Sequence, residues 1–463
     1  MDKTTQIIAD FAASQTYDAI STEAKAAAIR HHFDGIGCAA GGFDSEPCHV
    51  VRKIAGAVND SNGASVFGLN GKATPEYATF ANASAVRHLD FNDTYLGGKG
   101  GGGHPNDMAP AIFAAVEMTG GSGKDLITGL YIAYEIFGGL SNAIRFRGKG
   151  IDQGISVSLG SAAAVAKILG LDREGIANAI AMAIVPCLPV RVTRAGELSH
   201  WKGCATAHAA MTAMFGARLA QAGMTGPSKP FEGFDGIWNI SGPFDLSGLG
   251  ERIDGKSAIE RTAYKFFPAE FNSQGPITLL LKLRQQFGID EIEHIDIHSY
   301  HLTWHEIGGG QGDVAEKWDP KTRESADHSL PYLAAVALTD GQITLESFTD
   351  KRVRDPALRP LMQKIAVKDD EALQEHWAAT SEPKNRIDIR LKNGRTISEE
   401  VVNFRGHTKN PMNDDEIRFK FDNMIGYVLP KDRAAKLSDM LWSLDRQARL
   451  DNLAANFRSW GHA

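Results

Sequence analysis

A glycine-rich stretch of the chain brings acids, a threonine and a histidine close together in sequence. It reads HLDFNDTYLGGKGGGGHPND, from 88 to 107, and contains Asp90, Thr94 and His104. An imidazole titrates near neutral pH, and a carboxylate can orient it or exchange a proton with it. His104 also precedes Pro105 and a helical pattern, where the positive end of a helix dipole favours a carboxylate ligand. The stretch therefore predicts an acid–base site for a small carboxylate.

Nucleotide binding is another chemistry that these glycines suggest. Residues 98–103 formally fit G-x-G-x-x-G, but no β-rich run precedes them, as a dinucleotide-binding turn requires. Lys99 is followed by Gly100, whereas a phosphate-binding loop needs Ser or Thr after its lysine. We therefore expect no nucleotide site. The remaining alternative is a surface loop without a function.

Two further stretches place charged residues at the start of apolar helices. In SHWKGCATAHAA (199–210), Lys202 is either a solvated lysine or a cation that binds a carboxylate. In TRESADHSLPY (322–332), the polar residues are Arg323, Asp327, His328 and Tyr332. The alternative for this second stretch is that Asp327 or Ser329 only caps the helix.

Metal binding is not indicated by the histidines or the cysteines. The histidines between 294 and 305 are His294, His298, His301 and His305. Their order gives HLTWHE rather than H-E-x-x-H, and no carboxylate stands at a diagnostic spacing. The 4 cysteines form no CxxC pair, which also disfavours a thiolate zinc site or a disulfide framework. We expect neither a metal nor an organic cofactor.

The elements that must position these residues change in type near residue 266. Before it, apolar residues recur at helical spacing in 123–139, where Gly138-Gly139 is expected to end the helix, and the helical run 158–172 is apolar on almost every side. After it, 293–300 alternates as a half-buried strand does, and 386–401 predicts a hairpin with a type I′ turn at Asn393-Gly394.

The pattern therefore predicts a mostly α protein with an α+β part. We expect an all-helical bundle domain over 1–265, an inserted α+β lid domain over 266–410, and C-terminal helices over 411–463 that return to the helical domain. The chain has 463 residues and a net charge of −7, which argues against a nucleic-acid or anionic-membrane partner. It shows no signal peptide and no membrane-length apolar run, so we expect a cytoplasmic protein.

Several of these stretches, taken in order, resemble the MmgE/PrpD family over nearly the whole chain. They are HHFDGIGCAAGG, LDFNDTY…GGHPND, GELSHWKGCATAHAA, GMTGPSKPFEGFDGIW, KFFPAEFNSQ, RESADHSLPYLAAVAL and TKNPMNDDEIRFKF. The motifs GELSxWKG and ADHSLPY are most similar to those of the 2-methylcitrate dehydratase branch. The resemblance implies an all-helical domain with an α+β lid, a homodimer, and cofactor-free chemistry in a site between the two domains.

The resemblance also assigns residues to the site. Its motifs imply catalytic roles for Asp90, His104, Lys202 and Tyr332. We expect His104 to act as the base, Lys202 to bind a substrate carboxylate, and Tyr332 to protonate a leaving hydroxide. For substrate binding, we add Thr94, Asp152, Gln153, Asn272, Arg323 and His328.

Two positions depart from the dehydratase pattern. Gln153 and Asn272 stand where such members often carry histidine, and an amide does not titrate. The favoured function is dehydration of 2-methylcitrate or a close hydroxy-polycarboxylate. The alternatives are a decarboxylase of the cis-aconitate type, an epimerase or isomerase of the iminodisuccinate type, and a binding protein without turnover.

Overall fold

The architecture was derived from a computed structural model that describes residues 1–98 and 101–461. The chain forms two compact units, and neither is continuous in sequence. The first unit contains Met1–Arg191, Gly203–Thr262 and Asn413–Ala463, and the second contains Val192–Lys202 and Ala263–Met412. Segment 192–202, which the sequence placed in the helical domain, thus belongs to the second unit.

The first unit is built from α-helices. Those of at least eight residues are Lys3–Ser14, Thr22–Gly42, Glu46–Gly56, Pro75–His88, Ala109–Thr119, Gly123–Ala143, Gly154–Ile168, Arg173–Ile184, Asp414–Ile425, Lys431–Trp442 and Asp451–Arg458. The helix Trp201–Gln221 starts in the second unit's segment and continues in the first unit. Across residues 1–98 and 101–461, no helix is both long and apolar enough to span a membrane. After residue 411 the chain forms helices, the first of which is Asp414–Ile425.

The helix Gly123–Ala143 is longer than its sequence predicts. It starts with a capping box between Ser122 and Asp125, and it continues through Gly138-Gly139, so the predicted end there is wrong. A Cβ atom added at Gly138 would lie 2.4 Å from the Cβ of Ala258. Glycine at this position therefore allows close packing, and a glycine inside a helix costs only about 1 kcal/mol relative to alanine.

The helix Gly154–Ile168 confirms the prediction of a buried helix. Every residue from Gly154 to Ala166 is buried. Lys167, the single charged residue, donates a hydrogen bond from Nζ to the carbonyl of Ala13 at 2.6 Å. An apolar helix of this kind is stable only when neighbours cover it on all sides.

Two small antiparallel sheets complete the first unit. Strand β1 (Asn59–Ser65) pairs with β2 (Lys72–Ala73), and β3 (Tyr95–Leu96) pairs with β4 (Gly102–Gly103). The glycine-rich stretch is thus a hairpin, of which Lys99 and Gly100 lie outside the described residues. A Cβ atom at Gly101 would lie 2.4 Å from the Ser141 carbonyl oxygen. The hairpin backbone therefore lies directly against the end of a helix.

The second unit contains the predicted α+β part. Strands β5 (Ile292–Ser299), β6 (Ile365–Asp369), β7 (Lys384–Leu391) and β8 (Thr396–Val402) form one sheet in the order β6-β5-β7-β8. Only β5 and β6 run parallel within this sheet. Its helices are Gln274–Leu283, His301–Ile307, Val314–Trp318, Arg323–Ala326, Leu330–Asp340, Asp350–Val353, Arg359–Met362 and Glu371–Thr380. The alternating isoleucines of β5 and β7 are buried in a core that includes the helix Leu330–Asp340.

The hairpin between β7 and β8 has a different turn from the predicted type I′. Gly394 has a φ of +87°, whereas Asn393 does not have a positive φ. The Gly394 amide donates to the Leu391 carbonyl, and the Leu391 amide donates to the Arg395 carbonyl. This is a three-residue loop with glycine in the left-handed position, the next most common hairpin after the two-residue forms.

Candidate active site

Asp90 and His104 lie together in the interior of the first unit. Asp90 follows the helix Pro75–His88 and has a φ of +52°, an uncommon conformation that aspartate tolerates better than most residues. Its Oδ1 forms an ion pair with Arg87 Nη1 and lies 3.5 Å from His104 Nε2. The carboxylate therefore lies between a guanidinium group and an imidazole ring.

The other ring nitrogen of His104 is fixed by the neighbouring backbone. His104 Nδ1 lies 2.6 Å from the carbonyl oxygen of Asp93 and 3.3 Å from Thr94 Oγ1. A carbonyl oxygen only accepts hydrogen bonds, so Nδ1 carries the hydrogen and Nε2 is the basic atom of the neutral ring. The ring is also buried rather than exposed on a loop. This is the arrangement that a general base requires.

Gln153 positions the backbone of His104. Its Oε1 accepts a hydrogen bond from the His104 amide at 2.6 Å. A Cβ atom at Gly103 would lie 1.5 Å from this same Oε1, and Gly103 has a φ of +153°, so glycine is required there. The neighbouring Asp152 is fully buried and accepts from the first amide of the following helix at 3.2 Å. Both predicted residues therefore lie within the first unit, and Gln153 contacts His104 directly.

Arg87 is a site residue that the sequence did not single out. It is buried, and its Nε lies 3.7 Å from Asp107 Oδ2, in addition to its ion pair with Asp90. Asp107 Oδ1 accepts from Asn92 Nδ2 at 2.8 Å. The sequence signal for Arg87 was a charged residue in the last turn of a largely apolar helix.

A second buried ion pair supports the segment that carries these residues. Lys420 Nζ, on the helix Asp414–Ile425, lies 2.7 Å from Asp34 Oδ1 and donates to the Phe91 carbonyl at 2.7 Å. Burial raises the pKa of Asp34, and the charge of Lys420 acts in the opposite direction. Lys420 thus fixes the backbone next to Asp90. No sequence motif joins residues so far apart.

Lys202 belongs to a cluster in the second unit. It is buried, so the alternative of a solvated lysine is wrong. Its Nζ lies 2.5 Å from Asp327 Oδ1, and 3.4 Å from the Glu324 carbonyl. The same carboxylate lies 2.7 Å from His328 Nδ1 and 3.5 Å from Arg323 Nη1. Two basic side chains and an imidazole therefore surround one carboxylate.

Asn272 is also held within the second unit. Its Oδ1 accepts from the Tyr300 hydroxyl at 2.5 Å, and its Nδ2 donates to Glu270 Oε1 at 2.8 Å. The Glu270 backbone amide in turn donates to the Asp327 carbonyl at 3.0 Å. The Asn272 amide thus donates to one neighbour and accepts from another, and it does so without a titrating group.

Tyr332 lies in the interior of the second unit. It is fully buried in the hydrophobic core of the second unit. Its hydroxyl donates to the Ser347 carbonyl, and burial raises its pKa above the ordinary value. The expectation that Tyr332 protonates a leaving hydroxide stays a prediction. Ser329 accepts from the Tyr332 amide and caps the helix, as one alternative predicted.

Two histidines at the polar face of the second unit's sheet lie beside carboxylates. His298 Nδ1 lies 3.0 Å from Asp370 Oδ2, and its Nε2 lies 3.1 Å from Asp388 Oδ2. His301 Nδ1 lies 2.7 Å from Asp369 Oδ2. Both ring nitrogens of His298 thus lie beside carboxylates on the polar face of the sheet.

The first unit therefore places an imidazole beside a carboxylate on a helical scaffold. Comparison with known proteins identifies the family of the chain. The MmgE/PrpD N-terminal domain matches residues 6–244, and the MmgE/PrpD C-terminal domain matches residues 267–446. The chain belongs to the MmgE/PrpD family.

Its relatives include enzymes with two different names. A mitochondrial 2-methylcitrate dehydratase of Yarrowia lipolytica is 28% identical over 87% of this chain and 79% of the relative. The 2-methylcitrate dehydratase of Salmonella typhimurium is 27% identical over 91% of this chain and 90% of the relative. The cis-aconitate decarboxylase of Mus musculus is 26% identical over 89% of this chain and 84% of the relative.

Proposed function

We propose that this protein is a cofactor-independent lyase that dehydrates 2-methylcitrate or a related hydroxy-polycarboxylate to the aconitate-type alkene. One observation carries the proposal. His104 donates from Nδ1 to the Asp93 carbonyl, which leaves Nε2, 3.5 Å from Asp90 Oδ1, to exchange protons. Similarity to 2-methylcitrate dehydratases over most of the chain supports the choice of substrate class.

Dehydration needs a base and a way to protonate the leaving hydroxide. In our proposal, His104 Nε2 takes a proton from the carbon beside a substrate carboxylate, and Asp90 stabilises the resulting imidazolium. The carbon–oxygen bond then breaks as the carbon–carbon double bond forms. The imidazolium returns its proton to the leaving hydroxide, so water departs and neutral His104 is restored. Thr94 remains our proposed hydrogen-bond partner for a substrate oxygen.

Charge neutralisation is the second requirement of this chemistry. Lys202 and Arg323 both face Asp327, so two cations share one carboxylate. We propose that this excess of positive charge binds a carboxylate of the substrate, with Lys202 as the principal group. His328, whose Nδ1 faces Asp327, is oriented by that carboxylate in the same way as other paired histidines.

Decarboxylation is the second candidate, because a cis-aconitate decarboxylase is similar over most of the chain. Mass spectrometry separates the candidates after incubation with a panel of di- and tricarboxylates. Loss of water supports the proposal, and loss of carbon dioxide supports the decarboxylase. An isomer of unchanged mass indicates an epimerase or isomerase. Ligand-induced thermal stabilisation without turnover indicates a binding protein.

The His104→Gln variant is the control for this panel, because it removes the titrating group. The proposal also includes a homodimer, as the family resemblance implies. Light scattering after size-exclusion chromatography tests it, and a monomer at micromolar concentration would contradict it.

A further inference from the structure

The carboxylate of Asp93 is held by two hydrogen-bond donors in the interior of the first unit, and an imidazole ring lies beside it. Its Oδ1 accepts from the Asn106 amide at 3.1 Å, and its Oδ2 accepts from the Tyr134 hydroxyl at 2.6 Å. His31 Nδ1 lies 3.2 Å from the same Oδ2. Asp93 is fully buried, so these groups take the place of water around its charge. The backbone carbonyl of this residue is the one that accepts from His104.

His31 faces an acceptor at each ring nitrogen. Its Nε2 lies 3.1 Å from the Ile259 carbonyl oxygen, which can only accept, so this nitrogen carries a hydrogen. Its Nδ1 faces Asp93 Oδ2, which already accepts from Tyr134. The Ile259 carbonyl thus orients the ring, and Nδ1 lies 3.2 Å from the Asp93 carboxylate.

The groups around the Asp93 carboxylate come from separate elements of the fold. His31 lies on the helix Thr22–Gly42, Tyr134 on the helix Gly123–Ala143, and Asn106 in the short 3₁₀ helix Pro105–Met108. The motif resemblance pointed to Asp90 and Thr94, on either side of this residue. The position of Asp93 is thus defined by packing from three directions.

We propose that Asp93 is a positioning residue that sets the tautomer of His104, and that His31 and Tyr134 hold it in place. The inference rests on the proposed function in taking His104 as the group that exchanges protons. Two acceptors compete for the single hydrogen of neutral His104. The Asp93 carbonyl faces Nδ1 at 2.6 Å, and the Asp90 carboxylate faces Nε2 at 3.5 Å.

The outcome of this competition decides whether His104 can act as a base. With the hydrogen on Nδ1, Nε2 has a lone pair; with the hydrogen on Nε2, it has none. Arg87, in an ion pair with Asp90 Oδ1, weakens the pull of that carboxylate on Nε2, and Thr94 Oγ1 lies 3.3 Å from Nδ1. Movement of the Asp93 carbonyl away from Nδ1 would favour the Nε2–H tautomer, in which Nε2 cannot accept a proton.

Nitrogen-15 NMR of histidine-labelled protein tests the proposal without a substrate. The His104 signals are assigned by their absence in His104→Gln, and spectra are recorded where the ring is neutral. We expect the Nδ1–H tautomer in the wild type and an increased Nε2–H population in Asp93→Asn and Tyr134→Phe. Tyr131→Phe is the matched control, because it removes a half-buried phenol from the same helix and leaves Asp93 untouched. It should retain the wild-type spectrum.

Kinetics on the substrate found by the panel supply the second readout. We expect kcat to fall by at least about tenfold in Asp93→Asn, with a smaller change in KM. A wild-type tautomer in folded Asp93→Asn overturns the proposal. If that variant does not fold, Tyr134→Phe decides in the same way. If no polycarboxylate is turned over, the proposed function fails, but the NMR result still decides whether Asp93 sets the tautomer.

Discussion

The ammonium group of Lys202 lies 2.5 Å from Asp327 Oδ1, and both side chains are shielded from solvent. A lysine that serves only to bind substrate would leave a charge without a partner in the free protein. In this protein the partner of Lys202 is Asp327. Substitution of Lys202 therefore affects stability as well as activity.

We predict that Lys202→Met destabilises the protein by roughly 1–3 kcal/mol, because Asp327 loses its nearest donor while Arg323 and His328 remain beside it. Removal of a buried lysine without a partner would instead leave stability unchanged or raise it. Activity should also fall, by a factor of about 30 to 1,000 in kcat/KM. Chemical denaturation and steady-state kinetics on the same preparation measure both effects.

The double variant Lys202→Met/Asp327→Asn separates the two roles. It should recover part of the lost stability, since neither charge remains, and none of the activity. Lys282→Met is the surface control, because its partner Glu399 is partly exposed, and it should change stability by less than about 1 kcal/mol. Full activity in Lys202→Met would remove Lys202 from the site.

We predict that His104→Ala lowers turnover by roughly 10²–10⁴-fold, the usual contribution of a general acid–base group. The ring is buried, so stability should fall too, by about 1–3 kcal/mol, as the Asp93 carbonyl loses its donor. The exposed His49→Ala provides the comparison. Turnover near the wild-type value in folded His104→Ala would exclude His104 as the base.

His32 makes the protein sensitive to acid. Burial lowers its pKa from 6.5 to about 4, and within the described part of the chain neither ring nitrogen has a hydrogen-bond partner. The unfolded chain therefore takes up this proton first, and stability falls as the pH drops from 6.5 towards 4, by about 3 kcal/mol. His32→Phe should remove this part of the acid sensitivity. Parallel denaturation curves for the two proteins at pH 7 and pH 4.5 test this, and an equal loss in both would contradict it.

Glu135 acts in the opposite direction. Burial raises its pKa from 4.5 to about 7, although hydrogen bonds from Ala258 and Ile259 amides oppose this shift. The folded protein retains the proton longer than the unfolded chain, so its contribution to stability is present below pH 4.5 and is lost as the pH rises through 7. Glu135→Gln keeps an acceptor for the Ile259 amide. We expect it to gain stability relative to the wild type between pH 5 and 8, measured by urea unfolding, and a constant difference across that range would be inconsistent with titration of Glu135.

The sequence predicted those elements whose signals are local. The alternation of Ile295 and Ile297 marks β5, and the continuous apolar surface of 158–172 marks a buried helix. Gly138 misled the prediction, because its role is to let another segment approach and not to end a helix. Such a role depends on a neighbour, Ala258, that is distant in sequence.

The candidate site was predictable only in part, for the same reason. The motifs led to Asp90 and His104, which are close in sequence. His31 and Lys420 lie in two stretches of the family resemblance, but the resemblance gave neither a role. They join the site through contacts made by other elements of the fold. Tyr332 shows the converse, since a motif fixes a residue's place in the chain but not the direction of its side chain.

The contact between Lys420 and the backbone of Phe91 spans 329 residues, and this has a consequence for biosynthesis. The ribosome makes the N-terminal part first, yet Lys420 emerges only after residues 263–412 of the second unit have been translated. Until then the buried position of Asp34 has no cation, so the segment around Asp90 cannot reach its final arrangement during early synthesis. The order of translation thus makes the acid–base groups among the last parts of the protein to become competent.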